Sequence, residues 1–243
     1  MLLWMLATLA GYFVKGVAGI GNTPVVTSVM AYTRTNAEIT PVELLLCVPT
    51  NLVMAWVYRK SIAWKALLAP LLMVLAGDVL GVLLLKNVEV SALKMVFGVV
   101  LILISLEQLW REFLSPRRNE EKEAHPALLL TLGVSAGVLC GMFGVGALLA
   151  AYFARLTTDD ATFKGSLSML FVVETTFRIV AYSVTGLLTA VSLTRAAMLL
   201  PFMGLGLFLG MWAAKRMNPR IPRLIVTVML MVSGVPLLLT NLL

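Results

Sequence analysis

Long apolar runs alternate along this chain with short polar interruptions. Eight runs stand out, at roughly 1–32, 41–58, 66–85, 90–110, 127–156, 166–188, 196–214 and 224–243. A helix needs about 20 mostly apolar residues to cross a hydrocarbon core about 30 Å thick, so the pattern predicts an all-α polytopic membrane protein. One stretch has the mixed charge and flanking prolines of a linker, 111–126, ending in Pro126. It separates a first transmembrane repeat, 1–110, from a second, 127–243, and is expected to be cytoplasmic.

The two halves share a glycine pattern. Gly16, Gly19 and Gly21 recur 125 positions later as Gly141, Gly144 and Gly146, and Gly77, Gly81 and Lys86 recur 129 positions later as Gly206, Gly210 and Lys215. Matching signatures at nearly one offset indicate an internal duplication. The first run of each half is too long for a simple crossing and carries G-x-x-G-x-G near its middle. Glycine permits unwound backbone there, so each run is either one tilted helix or a hairpin that dips in and returns.

Basic residues choose between these alternatives. The chain is 60% hydrophobic and 13% charged, with mean hydropathy +0.97 and net charge +7, but its bases lie in short clusters between apolar runs. That is the distribution of a topology signal, and it argues against a nucleic-acid partner. With both glycine runs crossing fully, the bases divide almost evenly between the two sides. With both re-entrant, Arg34, Lys86, Lys94 and Arg195 fall on the side of the termini and the other loop bases, including Arg59, Lys164 and Arg216, fall opposite. The strong bias favours two inverted repeats, each a re-entrant helical hairpin plus three transmembrane helices, with both termini non-cytoplasmic and no removed signal peptide.

GYFVKGVAGIGNTP near the start, its echo AGVLCGMFGVGALL after the linker, Pro49 and Asn51 in the second run, and the later Gly-x-x-x-Gly pairs resemble the TauE/SafE family of bacterial membrane transporters. The resemblance spans essentially the whole chain. It implies a secondary transporter of the inner membrane, exporting sulfite, sulfonates or related sulfur-containing anions. Asn22-Thr23 and Ala147-Leu148 stand where many members carry Gly-Gly, so the resemblance bears on fold more than on substrate.

An anion in the membrane would meet free backbone N–H groups and half-helix ends at the hairpin tips, expected near the midplane. Pro24 fits the first turn of a returning half-helix that Asn22 or Thr23 could cap. The substrate-binding candidates are therefore Lys15, Gly19, Gly21, Asn22, Thr23, Asn51, Gly144, Gly146 and Arg178. Thr50, Thr175 and Thr176 are further uncharged donors, explained as cheaply by helix packing. Asp78 and Glu174 are the coupling candidates, the first about two turns from Lys86 and open to reading as a counter-ion, a proton carrier or a solvated residue, the second one helical turn from Arg178 and able to pair with it. No carboxylate lies near Lys15 in the sequence, so an anionic substrate is its expected partner. Glu43 is expected at an interface, and the Gly77/Gly81 and Gly206/Gly210 pairs are expected to serve packing.

One histidine, His125, and two cysteines, Cys47 and Cys140, provide no metal-ligand spacing, no disulfide framework and no expected cofactor or enzymatic centre. Cys140 beside the second glycine motif raises a thiol-based sulfur relay as a rival function, although a small packed residue is the simpler reading. A passive anion channel is the closer rival. The expected partners are a small anionic substrate and the lipid bilayer, with homodimerisation left open.

Overall fold

A computed structural model describes residues 1–30, 33–87 and 159–217, together with single positions between 99 and 149. The 111–126 linker and the motif glycines Gly141, Gly144 and Gly146 lie outside the described residues. Among those described there are six α-helices and no strand: α1 Leu2–Ala18, α2 Asn22–Met30, α3 Asn36–Val57, α4 Trp64–Asn87, α5 Asp160–Val184 and α6 Ala190–Ala214. A 3-10 turn, Arg59–Ser61, joins α3 to α4. The last four helices each contain a stretch long and apolar enough to cross a membrane.

The second, third, sixth and seventh apolar runs match α3 to α6, with shifted ends. α3 starts at Asn36, before the run at 41, because Thr35 and Glu38 form a reciprocal capping box that recruits polar residues into the first turn. α5 starts at Asp160, where Asp159 accepts the Thr162 N–H at 2.8 Å. Hydrogen bonding from the Thr162 side chain and backbone holds the exposed Asp159 carboxyl below the usual aspartate range. α6 likewise begins early, at a Thr189–Ser192 box. Hydropathy marks the membrane-compatible portion of a helix; capping chemistry sets where it begins.

The first run is a hairpin. α1 ends at Gly19, which adopts φ 87° and returns its N–H to the Lys15 carbonyl at 2.7 Å. Gly21 follows at φ 101°, and its carbonyl receives the Val25 N–H. Both conformations are left-handed and suit glycine. α2 then runs back along α1: a Cβ on Gly11 would lie 2.8 Å from Val26 Cγ2 and 3.0 Å from the Asn22 carbonyl oxygen. Gly16, the first glycine of the motif, serves a different end. It faces the backbone of Leu207, Gly210 and Met211 on α6, a small-residue contact that lets two helices approach closely.

Pair contacts fix helix directions. Tyr12 and Lys15 of α1 meet Cys47 and Asn51 of α3 in order, while Gly206 and Gly210 of α6 meet Leu9 and Phe13, so α1, α3 and α6 run the same way. α5 opposes α3, since Gly165 lies against Tyr58 at one end and Leu44 packs with Tyr182 at the other. Arg59, Lys164 and Arg216 therefore lie towards one end of the bundle, and Arg34 and Arg195 towards the other. This is the grouping expected with both glycine runs re-entrant.

The turn is deeper than expected. α1 rises about 25 Å over its length, and Gly19 is covered by the stem of Lys164, one turn into α5. The tip thus approaches the far end of the bundle instead of stopping at its middle.

One contact occurs in both halves. Gly206 of α6 packs on the Leu9 carbonyl and the Phe13 nitrogen; Gly77 of α4 packs on the Val134 carbonyl and the Val138 nitrogen. Leu9 and Phe13 shifted by 125 positions are Val134 and Val138, and Gly77 shifted by 129 is Gly206. The third long helix of one half crosses the opening helix of the other at the same glycine. The packing role expected for Gly77, Gly206 and Gly210 is what the structure shows.

Candidate functional site

Three helices each present polar residues at helical spacing within an otherwise apolar core. α1 contributes Tyr12 and Lys15, α3 contributes Glu43, Cys47 and Asn51 at intervals of four, and α5 contributes Glu174, Arg178 and Tyr182 at intervals of four. Residues four apart lie on one helix face, and α3 packs closely on α5 as well as on the α1–α2 hairpin. All eight side chains are buried, Lys15 and Arg178 to 2% and 3% exposure.

Around the hairpin, Lys15 Nζ donates to Asn51 Oδ1 at 2.7 Å and lies 5.7 Å from the centre of the Tyr12 ring. Lys15 also occupies the last turn of α1, where the carbonyl end of the helix dipole favours a cation. Asn22 opens α2 and Pro24 follows in the first turn, as expected. The amide nitrogen of Asn22 turns across the hairpin. This Nδ2 is 3.1 Å from Glu43 Oε2, 3.1 Å from Cys47 Sγ, 3.2 Å from Thr23 Oγ1 and 3.5 Å from Tyr12 Oη. An amide group has two protons, so these four neighbours compete for them.

In the other half, Arg178 Nη1 lies 3.2 Å from Glu174 Oε1, the expected pair one turn apart. The contact is an ion pair in which Glu174 Oε1 lies off the hydrogen-bonding direction. Arg178 also donates to the backbone carbonyl of Cys140 and stands 5.8 Å from the centre of the Tyr182 ring. Asp78 of α4 is fully buried, within electrostatic range of Glu174 and Arg178, and neither of its oxygens has a hydrogen-bond partner among the described residues. Of Lys86, its expected partner, only the backbone is described.

The two clusters form one electrostatic system. Lys15 is within range of Glu43 and Glu174, and Glu43 within range of Lys15 and Arg178.

Several expectations are corrected. Glu43 is not interfacial: α3 extends seven residues ahead of it, and the helix buries it against Asn22. Lys15 has carboxylates within electrostatic range after all, supplied by other helices, so it does not wait for a substrate to bring the first negative charge. Thr50, Thr175 and Thr176 donate to carbonyls of their own helices, which leaves no hydroxyl proton for an anion. Lys164, counted as a loop base, is 2% exposed and lies against Gly19. Gly19 and Gly21 shape the turn, as expected; Gly144 and Gly146 fall outside the described residues.

Sequence reading passed over Tyr12, Cys47 and Glu43 as members of this group. The signal was present, since Glu43, Cys47 and Asn51 make a polar stripe at intervals of four in an apolar helix. Cys140 is buried, and it is the backbone of this residue that Arg178 engages.

Compared with known proteins, residues 3–237 match the family model described as sulfite exporter TauE/SafE. No curated protein and no solved structure matches the chain.

Proposed function

Because the chain belongs to the sulfite exporter TauE/SafE family, a family of membrane transporters, we propose that it is a secondary transporter of small oxyanions of the sulfite or sulfonate class, and not an enzyme. The observation that carries this reading is the burial of two cations from different halves, Lys15 and Arg178, in one electrostatic cluster with the amide of Asn22 and the hydroxyl of Thr23. Buried cations in a membrane-spanning bundle mark ion pathways, and a guanidinium and an ammonium in one cluster with neutral donors suit the several oxygens of a sulfur oxyanion.

Lys15 and Arg178 attract the anion, Asn51 positions the Lys15 ammonium, and Asn22 and Thr23 bond the anion's oxygens. Gly19 and Gly21, with Gly144 and Gly146 in the second half, shape the backbone around it. Asp78 and Glu174 carry the coupling proton. Asp78 is the stronger candidate, because Glu174 faces Arg178 while the Asp78 oxygens have no partner among the described residues.

The duplicated glycine crossing supports inverted repeats working by alternating access: each half holds the other through one rigid contact, about which two bundles can rock. The protein would lie in the inner membrane with both termini non-cytoplasmic, which puts the end carrying Arg59, Lys164 and Arg216 on the cytoplasmic side.

Proteoliposome flux tests the proposal. Sulfite, methanesulfonate, thiosulfate, sulfate and a carboxylate would be offered with and without an imposed pH gradient. Saturable flux of sulfur oxyanions, with exchange faster than net flow, is expected. Non-saturating conductance that shows no exchange would replace the carrier with a channel, and absence of flux for all sulfur oxyanions would overturn the substrate class.

A further inference from the structure

Glu43 is an anion placed among the groups that would bind an anion. Its Oε2 accepts from Asn22 Nδ2 at 3.1 Å, the same nitrogen that lies 3.2 Å from Thr23 Oγ1, while Lys15 and Arg178 stand within electrostatic range. Its Oε1 has no hydrogen-bond partner among the described residues, and the residue is 1% exposed. The Asn22 amide is thus occupied by a carboxylate that belongs to the protein.

We infer that Glu43 is a tethered competitor for the anion site, holding the Asn22 amide and countering the Lys15 charge when no substrate is bound, and releasing both on taking a proton. The inference rests on the anion site proposed above.

Charge makes the competition necessary. The cluster contains Lys15 and Arg178 against Glu43, Glu174 and Asp78, so with every group ionised it is already net negative before a substrate arrives. A further anion entering this buried volume would meet repulsion from a carboxylate on its own donors, and desolvation makes that repulsion severe. Protonation of Glu43 removes the nearest negative charge and releases the Asn22 amide for the incoming oxygen. The groups around Glu43 are Tyr12 and Lys15 from α1, Asn22 and Thr23 from α2, Cys47 one turn along α3, and Arg178 from α5. Those that hold Glu43 would also hold the substrate, which makes the two exclusive. Asp78 lies on α4, next to the other cluster, so a proton on Glu43 is distinct from a proton on Asp78.

Calorimetric titration of the purified full chain with methanesulfonate, whose charge does not change across the range used, from about pH 6 to about pH 8.5, tests this in buffers of different ionisation enthalpy. The parent is expected to take up a proton with each anion, and its affinity to fall with rising pH by at most about tenfold per unit, the limit for one linked proton. Glu43→Gln is expected to bind at least as tightly as the parent does at its acid end, with flat pH dependence and no uptake through this site, while Asp78→Asn retains the uptake. Parent binding without proton uptake overturns the inference whatever the variants do. So does unchanged uptake in Glu43→Gln, or weaker binding by that variant at every pH. Lys15→Gln separates the two levels of the argument. If the parent binds no anion, or Lys15→Gln binds as tightly as the parent, the site itself is wrong and the inference falls with it. If Lys15→Gln weakens binding and Glu43→Gln leaves the uptake intact, only the role of Glu43 fails.

Discussion

Three glycines on α6 offer an internally controlled test of how the halves are joined. A methyl group at Gly206 would lie 2.5 Å from the Leu9 carbonyl oxygen and 3.1 Å from the Phe13 nitrogen; at Gly204 it would meet nothing described within 4 Å. A carbon–oxygen contact normally relaxes to about 3.3 Å or more. The obstruction is backbone, so Gly206→Ala can be accommodated only by moving α1 and α6 apart by most of an ångström. Misfits of this kind cost about 1–3 kcal/mol. Gly204→Ala changes the same helix by the same atom without that contact and is expected to stay within about 0.5 kcal/mol of the parent. Gly210→Ala faces the Phe13 carbonyl and the Gly16 Cα and should cost at least as much as Gly206→Ala. Gly77→Ala, against Val134, Gly137 and Val138, should cost a similar amount through the corresponding contact of the other half. Thermal unfolding in one detergent, followed by tryptophan fluorescence, ranks the four variants. If Gly206→Ala and Gly77→Ala melt with Gly204→Ala, the close crossing does not hold the bundle and the matching of the halves at these glycines has no energetic meaning.

The remaining predictions concern the polar cluster and the ends of the bundle. Lys15→Gln should weaken binding of methanesulfonate by roughly ten- to a hundredfold, about 1.5–3 kcal/mol for a charge-assisted bond, with Lys15→Arg less damaging; equal binding by Lys15→Gln in titration would remove Lys15 from the site. Cys140→Ala should transport at near-parental rate, because Arg178 bonds the backbone of that residue; loss of flux in a folded Cys140→Ala protein would favour a thiol relay. Asp78→Asn should reduce the response of flux to a pH gradient to the part carried by the proton on Glu43, while leaving anion exchange intact. Glu174→Gln should instead lower stability in detergent by about 1–3 kcal/mol, less than the full cost of stripping a buried ion pair because Asp78 and Glu43 still lie near Arg178. Asp159→Ala should cost about 1 kcal/mol at neutral pH through loss of the α5 cap. Since the folded carboxyl titrates below its unfolded value near 3.9, the cost should vanish as pH falls through the depressed value. Single cysteines at Arg59 and Arg216 should react with an impermeant reagent from the same side of the membrane, and one at Arg195 from the other.

Membrane residence and the hairpin of the first run were legible in the sequence because they rest on local or periodic quantities. Apolar run length reports on solvent, and glycines at positions such as 19 and 21 report on backbone that other residues adopt at a cost. Repeated motifs report on a repeated contact, and the Gly206–Leu9 and Gly77–Val134 pairs are where that repetition became physical. The distribution of bases was informative because a hairpin and a crossing send Arg59 and Arg216 to different relative positions.

Glu43 shows where such reasoning stops. Its place at the edge of an apolar run suggested an interface, but the capping box at Thr35 and Glu38 lengthened α3 ahead of it and carried it into the interior. Lys15 seemed to lack a carboxylate because its neighbours in sequence are apolar; helix packing brought Glu43 and Glu174 within range from residues 28 and 159 positions away. Thr50 and Thr175 looked available until the helices showed their hydroxyls turned back on their own carbonyls. Which residues are polar, and at what spacing, is written in the chain. Which of them face one another depends on helix direction, rotation and depth, and these are set by side chains and glycine contacts between segments far apart in sequence. A single sequence records those contacts only after the fold has brought them together.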